Sequence, residues 1–243
     1  MWSMSNAAPV LIVAATQREL EPLVARVDSA TPPEGKRGVR HGRLANHPVL
    51  LGTCGVGKAS AAMHTLELLR VHKTSLIVNT GCAGASPNSQ LNIGDVVIGS
   101  TALFADDGVQ TSDGFLDCQE IGLPLGSSST GEPIYNAVPV ASVALPPRTR
   151  DFAVETGTIT TISRGSGCRE QAEALGRLGL AEAMEGAAVG LAAIEVGCPY
   201  LEVRGISNQT GTRNLASWDI DLACTNAAEI VEEIINAWLS SRE

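Results

Sequence analysis

From Ala8 to Thr16 the chain reads as one apolar run, APVLIVAAT, with no alternation of polar and apolar positions. Such a run predicts a strand covered on both faces. Helical spacing takes over in QRELEPLVARV (17–27). The same change of rhythm recurs. HPVLLGTCGVGKASAAMHTLELLRVH (47–72) reads as strand, glycine turn and helix. TSLIVNTGCAGAS (74–86) reads as a strand ending in a glycine loop, and IGDVVIGS (93–100) as a further strand. EAMEGAAVGLAAIEVG (182–197) reads as a helix closed by Gly197, with Pro199 just beyond it. PYLEVRGIS (199–207) is the next strand. A last helix is expected from about Asp221 to Ser240, with Ala227, Ile230, Val231, Ile234, Ile235 and Trp238 on one face.

Strands alternating with helices imply an α/β fold around a largely parallel, buried sheet. Ligands of such sheets bind beyond the carboxyl ends of the strands. Polar residues collect at those ends: Thr16 to Glu19, Asn79 to Gly84, Arg204 to Asn208. Residues 103–150, rich in Gly, Ser, Asp and Pro, break the rhythm. They read as an irregular excursion within one domain spanning 1–243, covering the sheet or reaching a partner subunit.

Composition narrows the picture. Aromatics are only 3% of the 243 residues, so the core must be aliphatic and alanine-rich. The net charge of −9, with no basic run, argues against nucleic-acid binding. No apolar stretch approaches transmembrane length, so no membrane association is expected. The first residues lack the basic start, long apolar region and cleavage site of a signal peptide. Six cysteines, at 54, 82, 118, 168, 198 and 224, form neither a CxxC pair nor a metal-ligand cluster with His. Reduced thiols in a cytoplasmic protein, with neither metal nor cofactor, are the expectation.

Four motifs carry candidate chemistry. GTCGVGK (52–58) matches the GxxxxGK of a phosphate-binding loop, but Ala59 stands where magnesium needs Ser or Thr. A tight strand-to-helix turn is the favoured reading, with its backbone N–H groups still available near a ligand. NTGCAGA (79–85) has almost no side-chain bulk, so it is either a packing turn or a surface for a flat ligand. Glu185 in EAMEG is a carboxylate in apolar company, and a sugar diol is a natural partner. Glu19, on its own, reads as a solvated acid at a helix start.

Taken in order, these pieces resemble the nucleosidase branch of the nucleoside phosphorylase family. The set is Glu in the first strand–helix turn, GxGK, NTGxAG, MEG, then VRxIS followed by Asp or Asn. It spans about residues 10 to 240, with the excursion least matched. Within that branch, EAMEGAAV, VRGISNQTGTR and the following Trp look most like the futalosine hydrolases. Those enzymes split futalosine into hypoxanthine and dehypoxanthine futalosine on a route to menaquinone.

The resemblance implies a three-layer α/β/α sandwich around a mixed, twisted sheet, and a homodimer or higher homo-oligomer. It also implies roles. Glu19 would deprotonate the attacking water, and Arg204 would help hold that water and the nearby carboxylate. Cys82 stands where a serine would touch the water, a departure, since a thiol is a poor hydrogen-bond partner. Met184 and Glu185 would contact the ribose. Ala83 and Gly84 would line the base, and Thr161 and Ile162 a further wall. Ser207 and Asn208 end the strand, Asn208 beside the leaving base. Asp in that place could protonate N7 of adenine, whereas Asn offers only a donor and an acceptor, which suits a 6-oxopurine. Arg213 and Arg164 stand as candidates for the benzoate on the 5′ side of futalosine.

Alternatives remain open. A methylthioadenosine/S-adenosylhomocysteine-type nucleosidase or a purine nucleoside phosphorylase would use the same fold. Arg18 keeps phosphorolysis in play, although Glu19 beside it would repel phosphate. A non-catalytic nucleoside-binding protein is the rival outside enzymes.

Overall fold

The computed structural model describes residues 8–128, 130–144 and 148–240. The leader expectation above falls in part on residues 1–7, outside the described residues, as do 129 and 145–147 of the excursion.

The apolar run forms β1 (Val10–Ala14), and the helical spacing forms α1 (Gln17–Val24). Thr16 caps that helix by accepting from the Glu19 N–H, while the Glu19 carboxylate accepts from the Thr16 N–H, a reciprocal capping box. Next come β2 (Arg40–Leu44), β3 (His47–Thr53), α2 (Lys58–Val71), β4 (Leu76–Ala85) and β5 (Val96–Phe104). The excursion holds five short strands: β6 (Gly108–Gln110), β7 (Phe115–Asp117), β8 (Gly126–Ser127), β9 (Pro133–Ile134) and β10 (Ala137–Pro139). After it follow β11 (Val154–Thr161), α3 (Arg169–Leu175), β12 (Ala181–Ala183), α4 (Gly186–Glu195), β13 (Tyr200–Gln209) and α5 (Ile220–Ser240).

The sheet is mixed and has nine strands. β2, β3, β1 and β4 form an open half in which β1 runs parallel to β3 and β4. The other half closes on itself. β13 lies parallel to β4 and antiparallel to β5, β5 pairs with β11, β11 with β12, and β12 returns to the end of β4.

Alternation along β1 divides the core. Val10, Ile12 and Ala14 pack with Leu20, Leu23 and the apolar face of α5, while Leu11 and Val13 pack towards α2 and α4. These two helical layers enclose the sheet, giving the three-layer arrangement. A third cluster takes Ala83, Val97, Ile159, Ala181 and Ile206, one from each strand of the closed half. The small residues there follow from the tight curvature of a short ring.

Two sequence readings change. The glycine-rich NTGCAGA is not a loop but the C-terminal part of β4, because β13 pairs with it from Glu202 to Gln209. EAMEG is not helical throughout. Glu182 sits on β12, and α4 starts only at Gly186.

Candidate functional site

The carboxyl ends of β1, β4, β12 and β13 surround a cavity of about 660 Å³. Glu19, Cys82, Ala83, Gly84, Ile162, Met184, Glu185, Ser207 and Asn208 all line it.

Glu19 is held before any ligand arrives. One carboxylate oxygen accepts from the Thr16 N–H at 2.9 Å and its hydroxyl at 2.8 Å. The other accepts from the Cys82 N–H at 3.2 Å, with the Cys82 thiol at 3.6 Å. So the acid that reads as a solvated helix-start residue is buried, 8% exposed. Gly81 makes room for it. A methyl there would lie 2.5 Å from Glu19 Oε1 and 3.1 Å from an Arg204 nitrogen, at a φ of +137° that disfavours side chains.

Arg204 does not reach the cavity surface. It lies fully buried beneath the floor, its Nε donating to Glu202 at 3.0 Å and other nitrogens to Asn79 Oδ1 and the Thr80 carbonyl. Its guanidinium stands 3.5 Å from Glu185 Oε2. Burial alone would lower the Arg204 pKa, but the carboxylates Glu202, Glu185 and Glu19 outweigh it and keep the group protonated. Burial raises the pKa of both Glu202 and Glu185, with Arg204 opposing in each case. Thr161 is likewise behind the wall, where its hydroxyl accepts the Ala187 N–H at 2.8 Å and ties down the start of α4.

The GxxxxGK turn has a definite partner. The Gly57 N–H donates to Glu185 Oε1 at 3.1 Å, and Lys58 binds Asp106 and Asp107. One backbone donor that a phosphate would need is therefore occupied by a carboxylate of the chain itself. Cys54 in the same turn is buried, and burial, then the charge of Glu185, push its thiol up to about 12.

Asn208 owes its aim to a β-bulge. Ile206 pairs with Ala83 and Asn208 with Gly84, leaving Ser207 as the extra residue. Ser207 Oγ lies 2.8 Å from Asn208 Oδ1, and Asn208 Nδ2 donates to the Gln209 carbonyl at 3.1 Å. An amide nitrogen has two hydrogens, so the second is available to a ligand.

Sequence reasoning missed two carboxylates. Glu202 is fully buried with Arg204 and the Tyr200 hydroxyl, which also donates to the Gly186 carbonyl at 2.7 Å. Its signal was available: two opposite charges, i and i+2, on one face of a strand otherwise apolar. Glu182 lines the cavity and accepts from the Ser166 N–H at 2.9 Å and hydroxyl at 2.6 Å. Burial raises its pKa, and the Ser166 bonds oppose this. Of the two arginines considered for an anionic substituent, Arg213 lines the cavity and Arg164 does not. Among the described residues no group of three or more His, Cys, Asp or Glu could hold a metal ion, and no helix is long and apolar enough to cross a membrane.

The nine-stranded mixed sheet, closed on itself in one half, sets a cavity of fixed carboxylates at its strand ends. The sequence pattern of the phosphorylase superfamily matches residues 9–236, and the chain belongs to that family. It is 32% identical over 232 residues to futalosine hydrolase of Acidothermus cellulolyticus, covering 94% of this chain and 91% of that one. It is also 32% identical over 238 residues to futalosine hydrolase of Streptomyces coelicolor, covering 94% and 97%. Among solved structures, the 5′-methylthioadenosine/S-adenosylhomocysteine nucleosidase of S. pneumoniae with a transition-state inhibitor superposes with a TM-score of 0.77. It is 24% identical and covers 95% of this chain and 99% of that one, a likeness of fold.

Proposed function

We propose that this protein hydrolyses the N-glycosidic bond of futalosine, releasing hypoxanthine and dehypoxanthine futalosine, and so serves the futalosine route to menaquinone. The observation that carries the reading is the pairing, in one cavity, of a pre-fixed carboxylate with an amide on the base side.

Glycosidic cleavage puts positive charge on the ribose and negative charge on the leaving base. Glu19, already oriented by three hydrogen bonds, takes the proton of the attacking water. Glu185 accepts from the sugar hydroxyls, with Met184 beside it, and Arg204 positions Glu185 from below. Ala83, Gly84 and Ile162 line the purine, Cys82 faces the water, Ser207 steadies Asn208, and Thr161 braces the helix that presents Glu185. Asn208 donates to O6 or N7, where a 6-oxopurine spreads its leaving charge. It has no proton to give up to N7 of adenine. Water is favoured over phosphate because Arg18 is bound to Asp221 at 2.9 Å and the glycine turn faces Glu185. The enzyme works without metal or cofactor, as a cytoplasmic single domain in a homodimer or larger homo-oligomer. The exposure of Val56 and Met63 around α2 supports the last point.

The test is incubation of the pure protein with futalosine, inosine and methylthioadenosine in phosphate-free buffer. Hypoxanthine release from futalosine is expected. Comparable adenine release from methylthioadenosine would remove the role of Asn208 in reading the base, and dependence on phosphate would replace hydrolysis by phosphorolysis. Asn208→Asp is expected to shift preference towards 6-aminopurines.

A further inference from the structure

The cavity lining contains three carboxylates, Glu19, Glu182 and Glu185, and two cations, Arg18 and Arg213. A monoanionic substrate entering such a site needs an uncompensated positive charge to offset its desolvation and repulsion. Most cations near the cavity are spoken for. Arg18 pairs with Asp221, Lys58 with Asp106 and Asp107, and Arg204 with Glu185 and Glu202. Arg213 meets no carboxylate among the described residues. Its guanidinium instead lies over the Trp218 ring, 4.8 Å from the ring centre. Stacking holds a guanidinium in place while leaving its edge donors unused.

Trp218 adds a second, independent feature. Among the described residues it is the one aromatic of the lining, and its indole Nε1 is buried with no hydrogen-bond partner among them. Because that Nε1 is closed off from the cavity, the indole meets a ligand through its ring carbons. The segment carrying both residues, 210–219, is anchored at each end. The Gly211 N–H donates to the Ser166 carbonyl at 2.8 Å, and the Asp219 N–H to the Ser207 carbonyl at 2.9 Å. The pair is thus fixed at the cavity edge rather than hung on a free loop.

We infer that Arg213 and Trp218 form an arene-carboxylate subsite, in which the guanidinium binds the carboxylate and the indole supplies an aromatic wall. This rests on the proposed function, because it assigns the subsite to the benzoate of futalosine. It also gives the enzyme a means of preferring that substrate over nucleosides without an anion on the 5′ side.

Two measurements separate the inference from the reading it rests on. Futalosine turnover by the wild type decides the reading. Calorimetric titration with a free 3-acylbenzoate decides the subsite, with no catalysis needed. Binding to the wild type that is lost in Arg213→Gln and only weakened in Arg213→Lys, which keeps the charge but not the stacked fork, is expected, as is weakening in Trp218→Ala. No binding to the wild type, or equal binding to Arg213→Gln, overturns the subsite even if futalosine is cleaved. Binding of inorganic phosphate at Arg213 without binding of the benzoate overturns it too. In turnover, Arg213→Gln should lower kcat/KM for futalosine relative to inosine by about 10-fold or more, the scale of a charge-assisted bidentate contact. An unchanged ratio counts against it.

Discussion

Glu202→Gln tests whether the buried charge network supports the site. The exchange keeps the side-chain volume and an oxygen for the Arg204 Nε–H at 3.0 Å, but removes the charge and turns one acceptor into a donor. That donor faces the Tyr200 hydroxyl, whose single hydrogen can go to the Gly186 carbonyl at 2.7 Å while its oxygen accepts from the new amide, so the lost charge is the main cost. Removing one partner of a buried ion pair typically costs roughly 3–5 kcal/mol. Here the cost should fall at the lower end, about 3 kcal/mol, because Arg204 keeps Glu185 and Asn79, and burial already disfavours ionised Glu202. For a chain of this size, 1 kcal/mol moves Tm by about 2–4 °C, so a fall of about 6–12 °C is expected. Thermal and urea unfolding of both proteins measure it, with an unchanged urea slope showing that the same surface is exposed. A fall under about 2 °C would refute the claim that Glu202 neutralises Arg204 in the folded protein.

The pH profile is a second check. Glu185 must be ionised to accept from the ribose, and burial raises its pKa above the usual 4.5. As pH falls, kcat/KM should therefore drop with an apparent pKa above 4.5, and an acid limb at or below that value counts against the role of Glu185. Stability runs the other way. Glu182 also has a folded-state pKa raised from 4.5, so its contribution is present below 4.5 and is lost as pH rises through the folded value. Glu182→Gln should flatten that part of the curve in urea melts, and an unchanged slope would count against the burial of its charge. Gly81→Ala should displace the Glu19 carboxylate and cut turnover by about 100-fold, the scale of an ångström's misplacement. Near-wild-type kcat would mean that the Glu19 position is not critical.

The succession of strands and helices was legible along the chain because burial on two faces writes itself as apolar runs, as in Val10–Ala14, and burial on one face as helical spacing, as in α5. The candidate residues were legible as an ordered set of motifs at strand ends. Their environments were not. NTGCAGA looked like a loop because glycine and alanine lack strand propensity, yet pairing with β13 makes it the wall of a closed half-sheet. Arg204 read as a strand-end residue facing the water, and lies beneath the floor because Glu202, Glu185 and Asn79 surround it there. Glu202 itself went unread, although its partners Tyr200 and Arg204 stand two residues to either side of it on one face of β13.

The sequence alone determined which functional groups exist: an amide at 208, carboxylates at 19, 182, 185 and 202, and an arginine at 213. Tertiary structure decided what each one meets. The Ser207 bulge turns Asn208 beside Gly84, the Gly57 amide goes to Glu185 rather than to a phosphate, and Arg213 has an aromatic face but no counter-charge among the described residues. The first depends on a one-residue slip in strand register and the second on a contact between residues more than a hundred positions apart. Local periodicity carries no record of either.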